Sequence, residues 1–128
     1  MRLLSSYAAP GQLAHSLTFS KDGNRVYVGN SKSQVMAFDS LSGQSVQIFQ
    51  GHRNRVSAVA DAPEESEIVS GDSSGRVIIW DIESGQRLVT LTDGDQGITS
   101  LDWSPDGRQI VAGKEHGTVQ IWTLPRSQ

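Results

Sequence analysis

The chain has 128 residues, the length of one ordinary domain, and its 36% hydrophobic and 20% charged residues are typical of a folded globular protein. The sequence contains no cysteine, which excludes disulfides and thiolate metal sites and fits a reducing, cytoplasmic location. The net charge is −3 with both signs interspersed, and the sequence has neither the basic block of a nucleic-acid surface nor an apolar run long enough for a membrane span.

Short strands separated by turn clusters are predicted along the whole chain. Residues 2–7 predict one strand, residues 8–50 and 51–92 predict four strands each, and residues 93–124 predict three. In the second of the longer segments the strands read RVSAVA, EIVSG, RVIIWD and RLVTLT, with the turns PEES, DSSG and ESGQ between them. Because no apolar stripe recurs at helical spacing, the pattern predicts an all-β fold.

The three longer segments are copies of one another at a period of 42 residues. When the chain is shifted by that period, the copies align without a gap, so that Phe38, Trp80 and Trp122 coincide. The turn sequence SKDG of the first copy returns as SPDG in the third, and SGQ follows the third strand of the first two copies. Agreement at many positions is the signature of a repeat architecture.

These copies resemble WD40 repeats. The resemblance rests on the period, on the pair Gly51–His52, on the SPDG turn, on VSGD at a strand end and on the run IIWDIESGQ, and it covers nearly the whole chain. The first copy departs from the pattern because Phe38 stands where tryptophan is usual, although Asp39 follows it as expected. The resemblance implies an all-β propeller of four-stranded blades around a central channel, and a non-catalytic scaffold for protein–protein interaction.

The resemblance also implies a hydrogen-bonded network of His, Ser or Thr, Asp and Trp inside a blade. His52, Ser70 and Trp80 match this network in the second copy, and Asp93–Gly94 replaces the usual Gly–His pair in the third. At the position assigned to the aspartate, the three copies carry Lys32, Ser74 and His116. The sequence therefore predicts that no copy has the complete network.

The two ends of the chain fall at different points of the repeat. Arg2–Tyr7 lies in phase with Gln44–Phe49 and Gln86–Leu91, the fourth strands of the first two copies, whereas the last copy stops after its third strand. In WD40 propellers such an offset closes the ring, because the N-terminal strand completes the last blade. The residues expected at this closure are Leu3, Leu4, Tyr7, Val119 and Ile121.

Three blades cannot close a ring alone, since propellers have about 4–8 blades. A homodimer would close a six-bladed ring and a homotrimer a nine-bladed ring, and the third alternative is a fragment that complements a different chain. A head-to-tail contact that repeats until it closes is a heterologous interface. The closed homo-oligomer, with two copies before three, is the favoured prediction.

The resemblance places partner binding on the loops that join one blade to the next and on those that join the second strand to the third. By phase these loop residues are Leu13, Ser31, Arg53, Asn54, Arg55, Ser73, Asp95 and Glu115. Arg53 and Arg55 form the densest positive spot of the chain, and arginine is enriched at interaction hot spots. A protein or peptide with an acidic or phosphorylated segment is therefore the expected partner, and neither nucleic acid nor a membrane is expected.

No cofactor, metal ion or catalytic residue is expected. His15, His52 and His116 are the only histidines, and their different phases in the repeat keep them from converging on one metal ion. The alternative function is a small-ligand site or an enzyme in the central channel, which would need polar side chains on the first strands. Val56 and Ala58 are among the residues expected to line the channel there, which favours the scaffold.

Overall fold

The computed structural model describes residues 1–6, 12–64, 66–94 and 96–125. Within these ranges the regular structure consists of eleven β-strands and includes no helix. The strands are β1 (Ala14–Phe19), β2 (Arg25–Asn30), β3 (Gln34–Asp39), β4 (Ser45–Gln50), β5 (Val56–Asp61), β6 (Glu67–Asp72), β7 (Arg76–Asp81), β8 (Arg87–Asp93), β9 (Ile98–Trp103), β10 (Gln109–Lys114) and β11 (Val119–Thr123).

The strands form three antiparallel sheets whose spatial order follows the chain. Strands β1 to β4 form blade 1, β5 to β8 form blade 2, and β9 to β11 form blade 3. The first strands of the blades contact one another, β1 against β5 and β5 against β9, whereas β4 and β8 lie at the outer edges of their sheets. The all-β propeller architecture predicted from the repeat is confirmed, with the third blade formed by three strands.

The repeated turn sequences are explained by hydrogen bonds of their aspartates. In the β1–β2 turn the Ser20 hydroxyl donates to Asp22 Oδ1 at 2.7 Å, and the same oxygen accepts the Asn24 amide at 2.9 Å. In the β9–β10 turn the Ser104 hydroxyl donates to Asp106 Oδ1 at 2.6 Å. Hydrogen bonds lower the pKa of both carboxyl groups. The largest contribution comes from the Asn24 amide at Asp22 and from the Ser104 hydroxyl at Asp106. These acids therefore stabilise the local backbone.

The apolar core lies between the blades, in two clusters. Between blades 1 and 2, the rings of Trp80 and Phe49 have centroids 5.7 Å apart, and Phe49 packs edge-on against Tyr27 at 6.4 Å. Between blades 2 and 3, the Trp103 indole N–H donates to the Ala60 carbonyl at 3.0 Å, a hydrogen bond that crosses the interface. Because a fully buried apolar side chain contributes about 1.5–3 kcal/mol, these contacts hold the three blades in one arc.

Strand β5 contributes to both clusters because its side chains alternate between the two faces of blade 2. Val56 and Val59 join the cluster shared with blade 1, whereas Ala58 and Ala60 join the cluster shared with blade 3. A register shift between Val56 and Ala58 accompanies this alternation. The expectation that Val56 and Ala58 line a central channel is therefore wrong, because both side chains are buried between blades.

Candidate interaction surfaces

A complete hydrogen-bonded network of His, Ser, Asp and Trp lies inside blade 2. His52 Nδ1 is 2.7 Å from Asp72 Oδ2, and its Nε2 is 2.6 Å from Ser70 Oγ. The same Ser70 oxygen accepts the Trp80 indole N–H at 2.7 Å. The prediction that no copy has this network, with Ser74 at the aspartate position, is wrong for blade 2. Asp72 takes the position because it lies two residues after Ser70 on β6, on the same side of the strand.

Asp72 also shapes the β6–β7 turn through its other carboxylate oxygen. Its Oδ1 accepts the backbone amides of Ser74 at 2.9 Å and of Arg76 at 3.1 Å. Burial of the carboxyl group acts to raise its pKa, but the hydrogen bonds, chiefly with His52 and then with Ser74, outweigh burial and lower it to about 2. One carboxylate thus joins the side-chain network to the turn.

The end blades keep only parts of this network. In blade 1, Asn30 stands at the position of Asp72, and its Oδ1 accepts the amides of Lys32 at 3.0 Å and of Gln34 at 3.1 Å. The turn half of the arrangement therefore persists there without the histidine. In blade 3, Lys114 stands at the same position, so the network is absent from that blade.

The chain of Asp72, His52 and Ser70 has the residue types of a hydrolase triad, but it lies in the interior. The side chains of His52 and Asp72 are fully buried, and Ser70 is 0% exposed. The Ser70 oxygen is also held between the His52 ring and the Trp80 indole. A nucleophile must reach its substrate, so this arrangement stabilises the blade and leaves no group placed to react.

The described residues among those predicted to bind a partner lie at one end of the blades. Backbone hydrogen bonds join the loops there in equivalent pairs. The Ser31 amide donates to the Leu13 carbonyl at 2.9 Å in blade 1, and the Ser73 amide donates to the Arg55 carbonyl at 3.0 Å in blade 2. In blade 3 the Glu115 amide donates to the loop before β9 at 2.9 Å. The structure therefore brings these loops onto one surface, here called the loop face.

The loop face carries more basic than acidic side chains among its described residues. Its exposed basic and amide side chains are Lys32, Arg53, Asn54 and Arg55. Glu115 is exposed on the β10–β11 loop, and the predicted Asp95 lies outside the described residues. A basic surface is complementary to acidic groups in general, and the role of these residues in binding stays a prediction.

A polar groove of 1090 Å³ lies between blades 1 and 2 at the opposite end of the blades. Asp61, the last residue of β5, lines this groove together with Asp22. Burial raises the pKa of Asp61 to about 6, and the nearby Asp22 carboxylate adds to the rise. A hydrogen bond with the Lys21 backbone acts in the opposite direction but is outweighed. Trp103 occupies the equivalent position in blade 3 and is buried against blade 2. A carboxylate therefore stands in one interface where an aromatic ring stands in the next.

The two end blades each present an apolar face that no neighbouring blade covers. The leading face of blade 1 points away from blade 2 and consists of Leu17, Phe19, Val26, Val28, Met36 and Phe38. The trailing face of blade 3 also points away from blade 2; its apolar residues are Val111, Val119 and Ile121, and Asp102 lies beside Val111 on the same face. The corresponding faces inside the chain form the two blade–blade interfaces.

The exposed fractions of equivalent residues show the effect of a missing neighbouring blade on these end faces. Ile121 is 63% exposed on the trailing face of blade 3, whereas Ile79 is 2% exposed at the same position of blade 2. Phe19 is 66% exposed on the leading face of blade 1, whereas Trp103 is 6% exposed at the same position of blade 3. A neighbouring blade covers Ile79 and Trp103 but does not cover Ile121 and Phe19. Both end faces therefore resemble blade–blade interfaces that lack one of their two blades.

The predicted closure residues do not meet within one chain. The two from β11 lie on the trailing face of blade 3, whereas Leu3 and Leu4 are exposed in residues 1–6, which form no strand here. This N-terminal segment contacts blade 1, at the other end of the arc from β11. Tyr7 lies outside the described residues. Pairing of the segment with β11 therefore requires a second copy and stays a prediction.

The stacked sheets and the network of blade 2 define a β-propeller of the WD40 type. Comparison with known families is more specific: the family model of the Vps8 beta-propeller matches residues 13–126, and the chain belongs to this family. No curated protein sequence matches the chain significantly.

Solved structures contain the same arrangement of blades. A chain in the crystal structure of the mitotic checkpoint complex superposes with a TM-score of 0.82 over 91% of this chain, at 26% sequence identity. The present chain spans 35% of that chain, about a third of its length. In all, 1046 chains of known structure match, so the fold is widespread and does not identify a partner.

Neither a membrane-spanning helix nor a metal-binding cluster occurs in the described part of the chain. It holds no helix with the length and apolar character that a bilayer crossing requires. Nor do these residues include a group of three or more His, Asp or Glu side chains placed to hold a metal ion.

Proposed function

We propose that this chain is a non-catalytic protein-interaction scaffold whose three blades are half of a closed six-bladed ring. A second copy, associated head to tail, supplies the other half. The observation that carries this proposal is the pair of uncovered apolar faces at the two ends of the arc. WD40-type propellers generally serve as non-catalytic scaffolds, and the buried position of Ser70 agrees with that role.

Head-to-tail association would repeat an interface that already occurs twice within the chain. The trailing face of blade 1 packs on blade 2, and the trailing face of blade 2 packs on blade 3. Val119 and Ile121 of blade 3 stand where blade 2 has Val77 and Ile79, so this part of the last trailing face suits the same kind of neighbour, whereas Asp102 replaces Ala60 beside it. Covering apolar surface contributes about 25 cal/mol per Å², which supplies the driving force.

The open edge of β11 supports the same arrangement. Strands β4 and β8 complete the outer edges of blades 1 and 2, whereas β11 has no further strand beside it in the described sheet. An unpaired edge is a template for a strand from another chain. Arg2–Tyr7 is in phase with the outer strands, so this segment of a second copy has the position in the repeat that the edge requires.

Two copies suit the ring better than three. A six-bladed ring falls within the usual range of about 4–8 blades, whereas a nine-bladed ring exceeds it. In the two-copy ring both contacts are the same heterologous interface, so every uncovered face finds a partner.

Such a ring presents the loop face twice, once in each copy. Arg53 and Arg55 are exposed there, and the planar guanidinium group binds carboxylates and phosphates through paired hydrogen bonds. A partner with two acidic or phosphorylated segments would contact both copies at once, which strengthens binding without new contacts. We therefore propose an acidic or phosphorylated protein segment as the partner.

The alternative is that other blades cover the two end faces. They would come from a different chain or from a longer protein, since the matched chain of the mitotic checkpoint complex extends well beyond the 35% that this chain spans. This alternative leaves the present chain monomeric on its own, which the following experiment detects.

The ring is tested by the solution mass of variants that break one face each. Ile121→Lys places a charge on the trailing face, and Phe19→Lys places one on the leading face. We expect light scattering to give twice the chain mass of 13.8 kDa for the original chain and the single mass for each variant. An equimolar mixture of the variants should form dimers again, because one intact trailing face and one intact leading face remain.

Leu88→Lys is the matched control, because Leu88 is 52% exposed on β8 but lies on neither end face. It should keep the double mass. A triple mass would indicate the nine-bladed ring, whereas an original chain that stays at the single mass at every concentration would overturn closure by a second copy.

The loop face is tested by reversing its charge. In Arg53→Glu with Arg55→Glu, binding to acidic and phosphorylated peptides should fall at least about tenfold, since repulsion replaces attraction. Lys21→Glu, at the opposite end of the blades, is the control and should bind as before. Unchanged binding by the double variant would remove the two arginines from the partner site.

A further inference from the structure

The N-terminal segment, residues 1–6, lies along blade 1 in the single chain. The Ser5 hydroxyl donates to the Ser40 carbonyl at 3.1 Å, next to the β3–β4 turn. At Gly43 of this turn, a Cβ atom would stand only 3.0 Å from the Ser6 carbonyl oxygen and 3.2 Å from the Ser5 Cβ. Gly43 also has a φ of 73°, which glycine adopts without strain, so the turn both bends sharply and admits the segment.

The same segment lies against the leading face of blade 1. Ser5 and Ser6 line a cavity of 290 Å³ together with Leu17 and other members of that face. Met36 and Phe38 are buried although no blade covers the leading face, whereas Leu17 stays exposed at its inner side. Ser5 and Ser6 thus occupy space over the part of the face that lies near the β3–β4 turn.

We propose that the N-terminal segment is an internal cover that competes with ring closure. This inference rests on the head-to-tail closure proposed above. The leading face receives either its own chain's segment or the trailing face of a second copy, because both need the same apolar surface. Release of the segment does two things at once, since it uncovers the face and frees a strand for the open edge of β11.

The described contacts that hold the cover are weak, so a second copy can displace it. The segment makes the side-chain hydrogen bond of Ser5 to Ser40 but buries little apolar surface, because Leu3 and Leu4 remain 81% and 59% exposed. Losing that hydrogen bond should therefore shift the balance toward the ring. A cover of this kind suppresses association of chains at low concentration and yields to it at high concentration.

The decisive experiment locks the cover with a disulfide. In Ser5→Cys with Gly43→Cys, the Cβ atoms would start about 3.2 Å apart, slightly closer than the usual disulfide separation, and the chain has no other cysteine. We expect the disulfide to form in the monomer, the oxidised chain to stay at the single mass, and the same protein after reduction to recover the dimer. A dimer of equal stability in both redox states would overturn the competition.

Each further outcome separates the cover from the ring. Because any side chain at Gly43 meets a φ of 73°, Gly43→Ala is the control for strain: if it folds as the original chain does and the disulfide still fails to form, the cover itself is overturned. If Gly43→Ala does not fold, the comparison of Ser5→Ala with Ser6→Ala decides. If the disulfide forms but the original chain never dimerises, the proposed ring fails, and with it the competition. Ser5→Ala, which removes the hydrogen bond alone, should tighten dimerisation several-fold, whereas the control Ser6→Ala should leave it unchanged; equal behaviour of the two would contradict the proposed role of Ser5.

Discussion

Blade 2 and blade 3 derive from the same repeat, but only blade 2 has a fourth strand and a neighbouring blade on each side. Blade 2 has four strands and a covered apolar face on each side, and Asp72 joins its internal network, whereas blade 3 has three strands and Lys114 at that position. Trp80 is 1% exposed and donates to Ser70, whereas Trp122 at the same position of blade 3 is only partly buried. The comparison teaches that a blade gains its stability from its neighbours as well as from its own residues.

The largest effect should come from the two equivalent tryptophans. Trp80→Ala removes a buried ring from the interface of blades 1 and 2 and leaves Ser70 with one partner fewer, so we expect unfolding to become easier by about 4 kcal/mol. Trp122→Ala removes a partly buried ring, and the loss should be about 1–2 kcal/mol. Urea unfolding measures both, and equal losses would contradict the difference between the middle and end blades.

The next largest change in the free energy of unfolding is expected at Asp72, the carboxylate that completes the hydrogen-bonded network of blade 2. Because the pKa of Asp72 is lowered from 3.8 to about 2 in the folded chain, its contribution is present above about pH 4 and is lost as the pH falls toward 2. Asp72→Asn should therefore cost about 2 kcal/mol at pH 7 and reduce the loss of stability between pH 4 and 2. Thermal unfolding across this range measures the change, with Glu115→Gln as an exposed control. Parallel stability curves for the Asp72 variant and the original chain would refute the assignment.

The smallest change in stability is expected at Asp61, where the two blade–blade interfaces differ. Asp61 stands between blades 1 and 2 where Trp103 stands between blades 2 and 3, and burial raises its pKa from 3.8 to about 6. A raised pKa favours the folded state below about pH 4, and this advantage is lost as the pH rises through 6. Asp61→Asn should therefore stabilise the chain at pH 7 by about 1 kcal/mol, since partial exposure reduces the effect, and the gain should vanish below about pH 4. Glu64→Gln in the same groove is the control, and a gain that persists at low pH would exclude a charge effect.

The strands were predictable because they depend on local patterns. The short alternating runs and the turn clusters of each copy correspond to β1 to β11, and SKDG and SPDG form the expected turns. The network of blade 2 was missed by two residues, although the signal was present. Ser70 and Asp72 share one side of β6, so alternation along VSGD points to Asp72 and not to Ser74.

Other features lay beyond local patterns. Val56 and Ala58 were expected at the channel, but a first strand between two blades turns its side chains to both neighbours, and the register shift in β5 divides them. Nothing in the sequence of residues 1–6 indicated that they lie against the β3–β4 turn in the single chain. Their phase in the repeat predicts only where they fit in a ring.

The sequence by itself determined that this protein is an all-β arc of three blades, because the 42-residue period and the alternation of apolar residues are written along the chain. Only the tertiary structure decided that Asp72 completes the network of the middle blade, that no other blade of this chain covers the two end faces, and that residues 1–6 lie on blade 1. The physical reason is that these features depend on which distant segments come into contact, and a local pattern does not specify such contacts.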